Sequence, residues 1–492
     1  MSRIIIQNGN MCELDLPLKF AQKLYIEFAI RHPNAFYLRT RQRGMQNWDG
    51  KIHYINKHGE FKIGLLPAVY DKCIEYGIKP KVVDMRQPLP KVSKVVTRIG
   101  EYKLRPEQEK AVKAVINNRV GKASFQIGVL DYTVNAGKTL IMSSLYLSYK
   151  KQLKTLLITN DSDWLNQARD EFKKYLPGEQ ITFVQGKVLN WSNFTIGMVQ
   201  SISRNMKFYQ GELSKIDMVL VDEADQAGSK QYQNVLTRLF NTRVRIGLSG
   251  TIYMSKLAKD KVKNTNLECF FGKVLAEFKL KDSIKKGYST RTIVKMVPSK
   301  PWYGNWESEE VSYKDIYDDS ITFNKYARKM VYARLKWNIK QGRYPALVVC
   351  KYIAHCENLY KYFKKKLGSK YNIACVHVDT NSKIRQQIMK DFREGKIDIL
   401  VSTTIIARGK NFPKLRYLLN AASMDSQEKS IQFLGRLVRT DSSKKKVYLD
   451  DLHYPGPYLN RHGKHRKQYY QKQELKVILL EKIWKNHPIH SL

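Results

Sequence analysis

Acidic residues are scarce in this 492-residue chain: 44 Asp and Glu stand against 87 Lys and Arg, leaving a formal charge of +43. A chain that basic repels itself unless it works against a polyanion, and nucleic acid is the partner this balance favours. An anionic membrane surface fits less well, because the excess runs through the whole chain rather than along one amphipathic helix. Cysteine is scarce too. The six (Cys12, Cys73, Cys269, Cys350, Cys356, Cys375) are scattered with no CxxC pair, which argues for reduced thiols and against a zinc or disulfide framework. Long apolar runs are missing as well. No run approaches twenty residues, and "LPLKFAQKLYIEFAI" carries Lys19, Lys23 and Glu27, as an amphipathic helix would. Nothing near Met1 reads as a signal peptide. The expectation is a soluble cytoplasmic protein, in the host cytoplasm if the source is viral, with no membrane partner.

The apolar fraction, 43%, is ample for buried cores, and the length calls for two or three domains. Residues 1–95 read as a basic α+β nucleic-acid-binding module, in which "RIII", "AFYLRT", "KIHYI" and "EFKIGLL" look like short strands between two helices. From 96 to 275 the pattern becomes buried Leu/Ile/Val strands alternating with helices: "TLLIT", "FTIGMV", "MVLVDEA", "RIGLSGT". Residues 276–330 read as a connection containing the polar insertion "PSKPWYGNWESEE". Parallel-sheet runs return from 331 to 455 ("ALVVCKY", "IACVHV", "DILVSTT", "RYLLNAA"), and 456–492 read as a basic, partly helical tail. The expected fold is therefore α/β, two parallel-sheet lobes whose cores are encoded separately from a small α+β N-terminal module.

Chemistry gathers at three places. "NAGKT" (Asn135, Ala136, Gly137, Lys138, Thr139) lies between an apolar run and a helical one, the context in which backbone N–H groups cradle phosphate. Lys138 would reach the β- and γ-phosphates and Thr139 would hold Mg²⁺. Tyr132 occupies the position where a P-loop carries its first glycine. About eighty residues on, "MVLVDEAD" sets Asp222 and Glu223 at the end of an apolar strand, where ligands of an open α/β sheet collect. Asp222 suits the metal, and Glu223 suits polarising the attacking water. In "SIQFLGRLVR", Gln432, Arg436 and Arg439 follow an i, i+4, i+7 spacing that one helix face would present together. Forked guanidiniums there would neutralise charge on a transferring phosphoryl group.

Read in order, "RPEQ", "NAGKT", "DEAD", "SGT", "STTIIARGKNFP" and "QFLGRLVR" resemble the motif series of the superfamily 2 helicases. The resemblance covers roughly 100–450. It implies two RecA-like lobes that clamp ATP, with Mg²⁺ as its companion. It assigns Gln108 to the adenine, Ser249 and Thr251 to coupling ATP state to lobe movement, and Arg408, Gly409 and Asn411 to the lobe interface. Met198 stands where relatives carry a hydroxyl that contacts nucleic-acid phosphate, leaving Gln200 and Ser201 for that contact. Arg385 matches an interface or strand-contacting arginine. A narrower resemblance, through "RQRGMQNWDGKIHYI" and "VVCKYIAHCENLYKYF", is to the phage UvsW-type branched-DNA helicases. It implies an ATP-dependent DNA helicase, a monomeric motor acting on junctions, forks and R-loops in replication, recombination and repair. RNA would then be met within R-loops, and an RNA helicase is the alternative. Independently of family, "LRTRQR" as a strand would put Arg39, Arg41 and Arg43 on one face, near Tyr37 and Trp48, as a seat for phosphates and an unpaired base.

Overall fold

Strands of five or six buried residues, rich in Leu, Ile and Val, make the two principal sheets, because strands covered by helices on both faces need no polar alternation. The computed structural model describes residues 2–480 apart from 42–44, 161, 253–257, 300–310, 408–411, 426 and 442–443. The chain divides into two units, Met1–Phe278 and Lys279–Leu492. Among the described residues no helix is long and apolar enough to cross a membrane.

In the first unit, seven strands form one parallel sheet: β1 Ile127–Tyr132, β2 Thr155–Thr159, β3 Ile181–Val184, β4 Phe194–Met198, β5 Met218–Asp222, β6 Val244–Ser249 and β7 Val274–Phe278. Their order is β3-β4-β2-β5-β6-β1-β7. The register sets Asp222 opposite Leu248 and Asp131 opposite Ser249, so β1, β5 and β6 deliver their last residues to one edge. That edge is where an open α/β sheet binds its ligand.

The N-terminal residues add a four-stranded sheet in the order Glu60–Lys62, Met11–Asp15, Arg3–Ile6, Lys81–Asp84. Alternate residues of its first strands are buried, the pattern of a half-covered sheet. Two expectations fail here. "AFYLRT" is not a strand but the helix Ala35–Arg41. Only Ala35 of that helix is buried, so no core imposes a period of two on it, and the preceding His32-Pro33-Asn34 lets the Leu38 N–H reach the Asn34 carbonyl. Nor is the module's core separate from that of the lobe. Ile4, Ile6, Cys12 and Leu66 pack in one cluster with Val120, Phe125, Ile127 and Cys269. The Arg245 guanidinium, 1% exposed at the start of β6, donates to the Gly9 carbonyl at 2.8 Å and to Asn10 Oδ1 at 2.7 Å. A Cβ on Gly9 would come within 2.6 Å of the Leu239 carbonyl oxygen, so this seam admits no side chain.

The second unit repeats the parallel scheme: β8 Arg291–Pro298, β9 Ala346–Cys350, β10 Ile373–Val376, β11 Ile399–Thr403, β12 Tyr417–Asn420, β13 Lys446–His453 and β14 Lys476–Leu479, ordered β10-β11-β9-β12-β13-β8-β14. The boundaries expected from composition shift accordingly. Residues 291–298, expected in a connection, form an interior strand of this sheet. The helix Lys325–Lys340 buries Val331 and Leu335 in its core. The described part of the C-terminal region is likewise built in. Arg466, on the helix Leu459–Lys472, is fully buried against Asp451 at 2.9 Å, and β14 pairs with β8. Short segments with mixed polarity gave no sign in the sequence that a sheet would recruit them. Of the insertion 298–310, Pro298 ends β8, and 300–310 lie outside the described residues.

Candidate active site

The loop between β1 and the helix Lys138–Ser148 turns through two left-handed residues, Asn135 at φ +63° and Gly137 at φ +70°. At the second the left-handed φ itself favours glycine, and a Cβ there would also stand 2.3 Å from the Gln108 amide nitrogen and push that side chain aside. Gln108 donates through Nε2 to the Ala136 carbonyl at 2.8 Å and accepts the Arg105 N–H on Oε1 at 2.8 Å. The Arg105 guanidinium reaches the Asn135 carbonyl at 3.2 Å. The residue assigned to the adenine thus also holds the phosphate loop in shape.

Tyr132 does not obstruct this loop. Its side chain is buried, and its hydroxyl donates to the Glu107 carbonyl at 2.6 Å, away from the cradle.

Lys138 opens the following helix, with its ammonium 3.0 Å from Asp222 Oδ1 at the end of β5. Burial alone would lower its pKa, but Asp222, Glu223 and Asp225 together outweigh that and hold it above lysine's ordinary value. Thr139 follows, half-buried at the same helix start. Glu223 has left-handed backbone, φ +53°, and accepts a hydrogen bond from Gln226 Nε2 at 3.0 Å. Ser249, the last residue of β6, donates to Asp225 Oδ1 at 2.8 Å, and its Oγ accepts the Thr251 N–H at 3.1 Å. The structure therefore brings Gln108, Asn135–Thr139, Asp222, Glu223, Ser249 and Thr251 to one sheet edge.

The fit to a nucleoside triphosphate with Mg²⁺ can be judged on these groups. The positive-φ loop opens its backbone at Gly137 without a side chain, and a paired ammonium stands beside it. Thr139 and Asp222 offer the hard oxygen donors Mg²⁺ prefers. Among the described residues no cluster of three or more His, Cys, Asp or Glu could cage a metal alone. Mg²⁺ bound largely through phosphates needs none.

Other expected residues stand apart or differ. Gln200 and Ser201 begin the short helix Val199–Arg204 after β4, half-buried, with Gln200 Nε2 donating to the Asn160 carbonyl at 3.1 Å. In the second unit, the helix Gln427–Leu437 carries Gln432 and Arg436, but Arg439 lies beyond its end. Thr290, at the entry to β8, donates its N–H to the Val438 carbonyl and its hydroxyl to the Arg439 carbonyl, drawing that segment off the helix. The three-residue helical face is thus corrected to two. Arg408, Gly409 and Asn411 lie outside the described residues, and Arg385 is half-buried on the helix Ser382–Glu394. The single arginine face at the N-terminus is also corrected, since residues two apart on a helix point to different sides. Arg39 and Arg41 are exposed on Ala35–Arg41, while Arg43 lies outside the described residues. Trp48 is half-buried, its Nε1–H donated to the Lys51 carbonyl at 2.9 Å and its ring edge-on to His32. Sequence reasoning missed Phe36, which is 80% exposed beside the arginines, as well as Arg105, Asp225, Gln226 and Asn160. Arg105 and Asp225 lie inside the quoted "RPEQ" and "DEAD", and that membership is the signal that could have pointed to them.

Residues 101–254 match the family described as type III restriction enzyme, res subunit, and residues 328–441 match the helicase conserved C-terminal domain, between them more than half of the chain. A protein of Sulfolobus islandicus filamentous virus named as helicase 22 is 22% identical over 385 residues, 73% of this chain and 65% of its own. The chain thus spans less than two thirds of that relative. Among solved structures, the type ISP restriction-modification enzyme LlaBIII bound to DNA is 12% identical over 83% of this chain and 34% of its own, with a TM-score of 0.56. Dbp5 of S. cerevisiae bound to RNA and ADP BeF3 is 14% identical over 77% of this chain and 90% of its own, at 0.52. T4 UvsW aligns over 97% of this chain and 98% of its own at 19% identity, with a TM-score of 0.45. The first two structures share the fold of two RecA-like lobes. With the ordered motifs and both matched domains in one polypeptide, the chain belongs to the superfamily 2 helicases.

Proposed function

We propose that this chain is an ATP-driven DNA motor that remodels branched DNA, such as junctions, forks and R-loops, in replication, recombination and repair. The observation that carries the motor is the Lys138–Asp222 pair at 3.0 Å with the Asp225–Ser249 bond beside it, a phosphate site wired to the strand that precedes Thr251. In this reading the loop Asn135–Thr139 receives the triphosphate and Lys138 exchanges part of its hold on Asp222 for the β- and γ-oxygens. Glu223 orients water in line with the γ-phosphorus and takes its proton, giving ADP and phosphate. Mg²⁺ held by Thr139 and Asp222 would supply charge neutralisation on those oxygens. Gln432, Arg436 and Arg439 are assigned to the charge that develops on the transferred group. Ser249 and Thr251 couple the nucleotide's state to movement.

DNA is favoured by Gln432 and by the basic N-terminal residues with their "NWDG" segment, which also support action at branches. Exposed Phe36 joins Tyr37 beside Arg39 and Arg41 in the role first given to Tyr37 and Trp48, as faces for unpaired bases. A second reading, an RNA helicase, is supported by the "DEAD" sequence and by the RNA-bound Dbp5 structure. The test is the ATPase rate on ssDNA, duplex, four-way junction, R-loop and ssRNA. Strongest stimulation by branched DNA is expected, with log K for binding falling in proportion to log[salt] at a slope of about −0.9 per phosphate contact on duplex. Stimulation by ssRNA alone, or a flat response to salt, would refute the assignment.

A further inference from the structure

Because β2 lies between β4 and β5, its C-terminal end stands between the strand that leads to Gln200 and the strand that leads to Glu223. The register makes this concrete. Thr159 pairs with Met198, two residues before Gln200, and Ile158 pairs with Val221, two residues before Glu223. Asn160 is the first residue after β2, and its main chain and side chain face opposite neighbours. Its carbonyl accepts from Gln200 Nε2 at 3.1 Å, and its side-chain amide donates to Gln226 Oε1. Gln226 in turn donates through Nε2 to Glu223 Oε2 at 3.0 Å, at the end of the single turn Ala224–Gln226. The hydrogen bonds run in one direction, from Gln200 through Asn160 and Gln226 to the carboxylate. None of these contacts belongs to the phosphate cradle.

We propose that Gln226 is a positioning residue for Glu223, and that the chain Gln200–Asn160–Gln226 makes its hold on that carboxylate depend on nucleic acid at Gln200 and Ser201. A carboxylate oxygen accepting an amide N–H has one lone pair fewer for water. With Gln200 engaged only by Asn160, the carboxylate is held and hydrolysis idles. Nucleic acid on the helix Val199–Arg204 draws Gln200 away, Asn160 and Gln226 follow, and Glu223 is released to the attacking water. This rests on the roles given to Glu223, Gln200 and Ser201 under the proposed function.

Gln226→Met keeps the side chain's length and removes the donor, while Asn160→Ala cuts the chain one link earlier. Both are assayed in the full chain, with and without oligothymidylate. ATPase without DNA should rise about tenfold, the lower worth of a hydrogen bond to a charged group. KM for ATP should stay unchanged, the DNA-saturated rate should change little, and the stimulation ratio should fall by the same factor. A stimulation ratio unchanged in both variants, or basal and stimulated rates falling in parallel, would overturn the inference. A wild-type ATPase indifferent to every nucleic acid would sink the proposed function and the relay with it. A stimulated wild type whose ratio survives Gln226→Met would sink the relay alone.

Discussion

Removing residues 1–95 should unfold the first unit rather than leave a working lobe. The reason is the seam around Arg245. Burial, reinforced by Arg86, already depresses that guanidinium's pKa to about 9, and among the described residues no carboxylate pairs with it. Its hydrogen bonds run to Gly9, Asn10 and the Leu236 carbonyl. Truncation removes the first two, and stripping partners from a buried charge costs ~3–5 kcal/mol. It also uncovers part of Val120, Phe125 and Ile127, all at most 4% exposed. Burial of such side chains is worth roughly 1.5–3 kcal/mol each. The total, on the order of 10 kcal/mol, is comparable with the whole stability of an ordinary domain. The assay is thermal unfolding, followed by circular dichroism, of residues 96–278 against residues 1–278. Loss of a cooperative transition, or insolubility, is expected. A monomeric 96–278 fragment melting within about 4 °C of the longer one would refute the reasoning, since that shift corresponds to only ~1 kcal/mol at this size.

Two further outcomes follow from the site. Lys138→Ala should weaken ATP binding and turnover together, because the ammonium serves ground state and transition state alike, whereas Glu223→Gln should bind ATP normally but turn it over at least ~10²-fold more slowly. Equilibrium binding of a fluorescent ATP analogue beside steady-state ATPase separates the two, and near-normal turnover in Glu223→Gln would assign the water to another group. Arg436→Ala and Arg439→Ala should lose hydrolysis while keeping DNA affinity in an anisotropy titration; the reverse pattern would make the altered residue a DNA contact.

What could be read before the fold was known follows from how each signal arises. Strands buried on both faces announce themselves as unbroken apolar runs, so β1, β2, β5, β6, β9 and β11 were legible. Lys138, Asp222 and Glu223 were legible because phosphate chemistry demands those side chains at strand ends. The helix Ala35–Arg41 was not. Its aromatic and arginine content suits a strand by propensity, and an exposed helix leaves no core pattern to contradict that. The strands β8 and β14 were missed for the opposite reason, since each gains its meaning only from the neighbours that a distant stretch of chain provides. The shared core around Arg245 is the extreme case. Two of its three partners, Gly9 and Asn10, are more than two hundred residues away in sequence, and nothing local to Arg245 marks it as buried.

The same distinction explains why tyrosine can replace the first glycine of the phosphate loop. A glycine at position 132 would grant freedom to the backbone entering the loop, but the sharp turns occur later, at Asn135 and Gly137. Residue 132 still belongs to β1, paired with Phe278 beyond a register shift between Val129 and Leu130, and has no left-handed backbone to accommodate. Its side chain is thus available for other work. The hydroxyl ties the strand to the Glu107 carbonyl, next to Gln108, whose amide grips the Ala136 carbonyl inside the loop. Strand, helix Pro106–Ile116 and phosphate loop are thereby fastened in a short circuit that glycine could not make. The replacement exchanges a permissive entry for an anchored one. The glycine that the backbone favours, Gly137 at φ +70°, is the one this sequence keeps.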